Sequence, residues 1–577
     1  MRFWERRWAG AIAIAIVLGV YAPTLVMGRV DLDDLWLWGD ESPLRELSGA
    51  TLHDVFFELD AELRHPLGNE YLPVRDVAVA LDMAVWDDNA HGPHATQLAL
   101  FALSVFGLGT LLIRFGFARS VAWLGALAWA LHPMRVESVA WLSERKSVLA
   151  GLFVMACGHA WVRYRRGGSQ AWLVAGALAA LAGVWSNAPA MFAPAALLAL
   201  DLILLAPSRR RWIAAVAIGT AAALAAVPVV LVARDARVID NTDVPSPGRL
   251  QSALGAQGHY LASLALVRPV ATNYPIQTDG PSGGDLALGA LAVLGSAGLA
   301  YAWRRKAQPL ALLAWTWIWF APISQLLIPV HILVADRFAY LWAVGPMVGI
   351  VLAIELLPRA RTALAALLLC SLAVITLRAE EPWTSSTELF LHALESNPGD
   401  PLAYRNLALA QDMTMHTKIA LATVDRGLAE HPTHVRLLLA KVFILESMGH
   451  RTEALATARF AVAATGSANA KWVLAMRLES HKRFDEALPY ARAAFEKHPE
   501  IADYARTYGM LALVRGHAEI AVVALRAIRH PGPRDRFELG RALLSLGRAA
   551  EAEREFVLAI AAAPGLASQS RGPRPDP

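Results

Sequence analysis

The apolar positions of this chain fall into two regimes. Up to residue 380 they form long runs near 9–28, 95–114, 120–132, 147–162, 170–185, 189–206, 212–232, 285–303, 308–329, 338–357 and 361–378. A helix needs about 20 apolar residues to cross a bilayer, so the pattern predicts about eleven transmembrane helices. Within the polar stretch 29–94, Val74, Val77, Ala78, Leu81 and Val85 recur at helical spacing, with Asp76 and Asp82 off that stripe. This predicts a helix lying in the membrane interface. Residues 249–267 read as a second such helix or as a re-entrant segment.

Beyond residue 380 the apolar runs give way to shorter segments with a beat of about 34 residues. Asn397-Pro398, His431-Pro432, His498-Pro499, His530-Pro531 and Ala563-Pro564 punctuate it, and one beat is missing near Gly466. A second mark falls in mid-unit, at Gly449 to Leu455, Lys482 to Leu488, Gly516 to Val522 and Gly547 to Glu553, with Ala at the same offset in all four. Helix, tight turn, helix and proline stop at this period read as tetratricopeptide (TPR) repeats. About five units span 398–564. The expected fold is all-α: a polytopic transmembrane domain over 1–380, then a TPR solenoid over 381–577 that ends in a disordered tail.

Composition sharpens this picture. An apolar content of 56% belongs to a membrane protein. A net charge of +4 without a basic run gives no footprint for nucleic acid. The two cysteines, Cys157 and Cys370, sit inside apolar runs and are expected as free thiols. No small-residue cleavage site follows the first run, which therefore reads as an uncleaved span.

Orientation follows from the basic residues. With eleven spans, Arg6, Arg7, Arg114, Arg119, Arg163, Arg165, Arg166, Arg209 to Arg211, Arg304 to Lys306, Arg359 and Arg361 all fall on one side. The positive-inside rule makes that side cytoplasmic. The TPR array is then expected on the opposite face, the periplasm if this is a bacterial inner-membrane protein. The polar segments 29–94, 132–146, 185–189, 233–284 and 330–337 gather on that same outer face.

Three clusters there carry candidate chemistry. Asp31, Asp33 and Asp34 follow the first span; adjacent carboxylates at a membrane mouth serve as a general base or as ligands for a hard cation, or merely end a solvated helix. The stretch from His132 to Lys146 places His132, Arg135, Glu137, Glu144, Arg145 and Lys146 in one short loop. Such cations suit a phosphate or pyrophosphate, or else form salt bridges within the loop. His331, Asp336 and Arg337 make the third cluster, where Asp336 and Arg337 either pair with each other or contact phosphate. The residues admit a divalent cation without requiring one. No phosphate-binding loop of the Walker type, nucleophile elbow or dinucleotide fingerprint occurs in the chain.

Taken in order, Leu32-Asp33-Asp34, Tyr71-x-Pro73, Leu81-Asp82, His132 through Lys146, Asp201-Leu202, Tyr260 to Tyr274-Pro275 and Ala335 through Leu341 resemble the transmembrane-and-TPR proteins. These are a branch of the GT-C membrane glycosyltransferases that includes protein O-mannosyltransferases. The resemblance implies a polyprenyl-phosphate-linked sugar donor and transfer to a hydroxyl acceptor, on protein or envelope glycan, outside the cytoplasm. It implies that Asp33, with Asp34 beside it, acts as base toward the acceptor. Arg145, Lys146, Arg337, His132 and Arg135 would hold the donor phosphate, supported by Glu137, Glu144, Asp336, His331 and Tyr71. The TPR groove would bind a protein or peptide acceptor or a partner. Family members commonly carry His-x-Thr-Asn and then a second His at the second span, where this chain has His94-Ala95-Thr96-Gln97 and then Phe101. They commonly carry Ser-Lys-Pro where this chain has Ser186-Asn187-Ala188, which removes one cation. The alternative from another class is a non-catalytic membrane-anchored TPR scaffold. A lipid-linked glycan transporter would call for internal inverted repeats, which the sequence does not display.

The orientation is open to a direct check. Alkaline phosphatase fused to the C-terminus is expected to be active, and a fluorescent protein exported there by the general secretory route is expected to be dark. The reverse pattern would mean an even number of spans.

Overall fold

A computed structural model describes residues 2–30, 32–39, 42–60, 64, 67–235, 248–266, 271, 274–327, 332–529 and 531–568. All regular elements among the described residues are helical. The chain divides into two compact units, Met1–Asp400 and Pro401–Pro577, and the helix Ser386–Ser396 goes with the first.

Each of the eleven apolar runs contains a helix among the described residues, but the helices differ in length and several cover only part of the run. Among the described residues four are long and apolar enough to cross a membrane: His91–Arg114, Arg209–Arg234, Gly283–Ala302 and Arg361–Thr384. Ala9–Val20, Gln170–Val184, Ala188–Leu204 and Val344–Glu355 are apolar but shorter. Of about eleven expected spans, four are thus helices of sufficient length among the described residues, and proline is one reason. Pro23, Pro133 and Pro322 follow closely on Ala9–Val20, Arg119–Ala130 and Ala307–Phe320, and proline removes a backbone donor and crowds the preceding turn, although Arg209–Asp235 takes Pro228 within it. A 12-residue helix rises about 18 Å, against a hydrocarbon core of about 30 Å.

Arg119–Ala130 is one of these short helices, and it is core. Every residue from Ser120 to Ala130 is buried. The Trp123 ring fills the space beside Gly10 and Gly109, where an added Cβ would lie 2.6 and 2.4 Å from it. Helices Ala9–Val20 and His91–Arg114 therefore approach Arg119–Ala130 closely through those glycines. Carbonyls freed at the helix breaks find side-chain donors, as buried polar groups must. Tyr21 Oη donates to Ala130 O at 2.8 Å, Thr376 Oγ1 to Leu131 O at 2.7 Å, Trp129 Nε1 to Tyr340 O at 2.7 Å and Trp315 Nε1 to Leu341 O at 2.7 Å. These bonds fix the non-helical backbone on which the polar loops stand. At the C-terminal end of Arg145–Arg165, Asp201 accepts from Trp161 Nε1 at 2.8 Å, Arg165 Nη2 at 2.9 Å and Arg211 Nε at 2.7 Å, tying three helices together.

The stretch 29–94 contains the helices Asp34–Trp38, Gly49–Phe57 and Pro73–Trp86. In the last of these Leu81 and Val85 are 48% and 69% exposed, whereas Asp76 and Asp82 are buried. The apolar stripe faces outward, because the carboxylates turn inward to arginines. Residues 249–267 form the helix Arg249–Leu264, packed on Gly283–Ala302.

The second unit is a row of five helical hairpins among the described residues: 401–413 with 417–430, 435–447 with 451–465, 468–480 with 484–497, 502–514 with 518–526, and 533–545 with 549–562. Their turns are the same device repeated. Met415, Gly449, Lys482, Gly516 and Gly547 take φ of 65°, 77°, 59°, 78° and 74°. The next N–H in each turn bonds back five residues, from His416, His450, Arg483, His517 and Arg548 to Gln411, Leu445, Leu478, Ala512 and Leu543. This is the Schellman closure of a helix C-terminus. Ala420, Ala454, Ala487, Ala521 and Ala552 follow at a constant offset and are buried where the paired helices meet. Gly466, at φ 61°, ends Arg451–Thr465 and replaces the missing proline beat. Period, turn and buried alanine together make this a TPR-type array. The tail expected to be disordered falls mainly on 569–577, outside the described residues.

Left-handed backbone at Lys482 strains a side-chain-bearing residue, while Gly449 meets the same demand freely. Lys482→Gly is expected to slow hydrogen exchange of the amides in 468–497, a stabilisation of up to about 1 kcal/mol, and Gly449→Ala to cost the neighbouring hairpin about 1–2 kcal/mol. Equal effects of both substitutions would contradict this account.

Candidate functional site

The loop after Ala130 changes direction at every few residues. Pro133 opens a single turn over Pro133–Arg135, a short helix covers Val136–Ala140, Trp141 is extended, and a second turn over Leu142–Glu144 leads into Arg145–Arg165. Successive charged side chains therefore point different ways. Asp34 holds this loop: its carboxylate accepts from Ser143 N at 2.9 Å, Ser143 Oγ at 2.6 Å and Val30 N at 3.1 Å. Burial pushes the Asp34 carboxyl up to about 6 in spite of those bonds. Asp33, one residue earlier, is exposed, and its charge acts on Arg337. The adjacent carboxylates thus part company: Asp34 is a clasp and Asp33 is free to meet a solute.

A cavity of about 340 Å³ opens beside the loop. Glu70, Glu144, Lys146, Ser147, Asn187 and Arg337 line its polar end, and Met191, Phe192, Trp319, Ile323, Phe338 and Leu341 contribute to its apolar walls. Its cations do not stand alone. Arg337 Nη1 bonds Glu137 Oε1, Arg337 N donates to Glu137 Oε2 at 2.8 Å, and Arg337 Nε lies 3.4 Å from Glu144 Oε1. Lys146 Nζ lies 3.1 Å from Glu70 Oε1 and 3.7 Å from Glu144 Oε1. Arg75 pairs with Glu70 at 2.7 Å and with Asp76 at 2.8 Å, and Arg64 reaches Asp76 at 3.4 Å. Burial alone would lower the Arg337 guanidinium, but Glu137, Glu144 and Asp33 raise it, so it stays charged. Burial pushes the Glu144 carboxyl up, against the pull of Lys146 and Arg337.

Several expected site residues point away from the cavity. Arg145 is fully buried, bonded to Asp82, to Gln97 Oε1 at 3.2 Å and to Pro93 O at 2.7 Å, with its guanidinium over Trp38. Gln97, at the departure from the His-x-Thr-Asn pattern, also donates to Ser138 O at 2.8 Å. His132 is occupied at both ring nitrogens, with Leu264 O at 3.1 Å and Met134 N at 3.3 Å. Arg135 is fully buried over the Tyr340 ring, and its three guanidinium nitrogens have no hydrogen-bond partner among the described residues. Tyr71 donates to Phe56 O at 2.8 Å. Asp336 accepts from Tyr274 Oη at 2.8 Å, whereas Arg337 turns to Glu137 and Glu144, so the adjacent pair separates. His331 lies outside the described residues.

Glu70 and Ser147 were not singled out by the sequence pattern, although each sits beside a residue that was. Asn187, at the departure from the Ser-Lys-Pro pattern, does line the cavity and donates to Ser147 Oγ at 3.2 Å. Asp34 fits a cation poorly, because N–H and O–H donors already occupy its oxygens, and Asp31 lies outside the described residues. His53, Asp54 and Glu58 bring ligand atoms within 4.8 Å of one another, but on an exposed helix end.

The buried carboxyls make stability depend on pH. Burial pushes Asp336 up to about 7, helped by Glu137, so the folded state keeps protons that the unfolded chain has released. Stability of the first unit is expected to fall as pH rises from about 4 to about 7, by up to about 1.4 kcal/mol per pH unit for each such group. In Asp336→Asn, which keeps an acceptor for Tyr274 Oη, the decline on approaching pH 7 should be shallower than in the native chain. Thermal unfolding of the detergent-solubilised chain across this range reads the difference.

No family model matches the chain, and no curated protein matches it. Among solved structures, it is similar to YrrB, a TPR protein with an unusual peptide-binding site, at 21% identity over 32% of this chain and 98% of that one, with a TM-score of 0.28. It is similar to MamA from Desulfovibrio magneticus at 15% identity over 30% of this chain and 96% of that one, with a TM-score of 0.26. A thermophilic TPR protein of Thermus thermophilus gives 21% identity over 30% of this chain and 96% of that one, with a TM-score of 0.24.

Proposed function

We propose that the first unit is an integral-membrane glycosyltransferase that moves a sugar from a polyprenyl-phosphate-linked donor to a hydroxyl acceptor, on protein or envelope glycan, at the non-cytoplasmic face. The observation that carries this reading is the two-sided cavity, with Lys146 and Arg337 at its polar end and aromatic and aliphatic side chains along its walls. A phosphate with a prenyl chain has the same division. Lys146 and Arg337 bind the phosphate and take up the charge that grows on it as the sugar C1–O bond breaks. Asp33 takes the proton of the acceptor hydroxyl whose oxygen forms the new bond to C1. Arg145, His132 and Arg135 are support for the loop in this scheme, because their side chains are engaged or enclosed elsewhere. The TPR array recruits the acceptor or a partner through its repeated helix faces. A bacterial inner membrane with the repeats in the periplasm is the setting that the basic loops favour.

A second reading, a non-catalytic TPR scaffold anchored in the membrane, is favoured by one observation. Each cavity cation already has a carboxylate beside it, as in a network that serves folding alone. Incubation of the purified full chain with a panel of polyprenyl-phosphate sugars separates the two. The enzyme reading expects transfer that Asp33→Asn reduces by about 10²–10⁴-fold with donor binding retained. It expects Arg337→Ala to weaken donor binding, raising KM or lowering kcat according to whether the contact is uniform or strengthens with leaving-group charge. Absence of transfer with every donor would leave the scaffold.

A further inference from the structure

Three carboxylates, Glu70, Glu137 and Glu144, meet the cations Arg75, Lys146 and Arg337 beside the cavity, and Glu144 is the most weakly paired of the three. Glu137 bonds Arg337 closely through both its oxygens, and Glu70 holds Lys146 at 3.1 Å. Glu144 is left with the longer contacts, 3.4 Å to Arg337 and 3.7 Å to Lys146, against about 2.7–2.9 Å for a well-made charged bond. Its Oε1 has no hydrogen-bond partner among the described residues, while Oε2 accepts from Ser147 Oγ, itself bonded by Asn187 Nδ2 at 3.2 Å. The side chain lies in the cavity wall and is 1% exposed. A buried anion with an unfilled oxygen, leaning on two cations that have better partners, occupies the place of a ligand.

We propose that Glu144 is an exchangeable anion: when a phosphodiester monoanion binds at Lys146 and Arg337, Glu144 takes one proton from solvent, and its neutral carboxyl then donates a hydrogen bond to the phosphate. The proposal rests on the donor-site reading above. Its physical basis is that a further anion entering this enclosed end meets only cations that are already paired. Exchange keeps the charge of the site constant. The groups that face Glu144 agree with the direction. Lys146 and Arg337 oppose protonation and are drawn off by the phosphate. Glu137 favours it, Glu70 lies beyond Lys146, and Asp33 acts on Arg337. Burial already pushes the Glu144 carboxyl up in the absence of ligand.

The experiment uses the full chain in lipid nanodiscs, with dimethyl phosphate and a glycosyl isoprenoid phosphodiester as probes, both of them monoanions throughout the range tested. Calorimetry in buffers of different ionisation enthalpy counts protons. The native chain is expected to take up about one proton per diester bound at the alkaline end of the range, and its affinity is expected to fall about tenfold per pH unit there. Glu144→Gln is expected to bind without pH dependence, and more tightly than the native chain at alkaline pH. Proton-coupled binding of the isoprenoid diester alone, or of both diesters, supports the exchange and tells whether the prenyl chain contributes. Binding by the native chain with no proton uptake would overturn the role of Glu144 and leave the phosphate site standing. A Glu144→Gln protein of native melting behaviour that keeps the native pH dependence would overturn it too. If neither protein binds either diester at any pH, the donor-site reading falls with it. The proton count on the native chain decides the matter even if the variant does not fold.

Discussion

A chain of alternating charges runs through the interior of the first unit, from Arg64 through Asp76, Arg75, Glu70, Lys146, Glu144 and Arg337 to Glu137. An isolated charge in such a place would cost several kcal/mol, and a pair breaks even only when its geometry is good. Linked in this order, each ion has a counter-ion on at least one side, so most of them can be withdrawn from water, with Glu70 the most exposed. Three stretches far apart in sequence, 64–76, 137–146 and 337, are pinned to one another by this requirement. The shape of the cavity follows from it, because its polar end is the exposed flank of the same chain of charges.

Arg135 shows what happens away from that chain. It is as deeply buried, with the Tyr340 ring face against its guanidinium and no hydrogen-bond partner for the guanidinium nitrogens among the described residues. The balanced network and this unsatisfied neighbour stand on adjoining turns of the same loop. Charge balance also constrains any ligand. A phosphate entering the cavity meets cations that are already satisfied, so binding must redistribute a carboxylate rather than fill an empty socket.

The second unit depends on a different constraint. Every hairpin must reverse direction in three residues, and the left-handed residue with its five-residue back-bond does this each time. Three of the five positions are glycine, and Met415 and Lys482 accept the same backbone with side chains attached. Small residues after the turn let the two helices of a pair close up, as buried Ala454 and Ala487 do.

The repeat array was legible from sequence because its determinants are local. A turn residue, an alanine at fixed offset and a proline or Gly466 at the stop recur along the chain and need no distant partner to be recognised. The apolar runs were likewise visible and do contain helices, although the length of each helix depends on proline and on packing, and four of about eleven expected spans are helices of sufficient length among the described residues. The first acidic cluster and the two basic loops were visible as charges, but their directions were not. Asp33 and Asp34 differ in no way that sequence records, yet Ser143, more than a hundred residues away, takes one of them and leaves the other. Arg145 and Lys146 are neighbours too, and one turns to Asp82 while the other enters the cavity. Glu70 becomes a site residue only because Lys146 and Arg75 arrive beside it. Sequence by itself determined the helices, the repeat and the supply of charge. Tertiary structure decided which charge faces which, because the burial of an ion is settled by partners that only folding brings within reach.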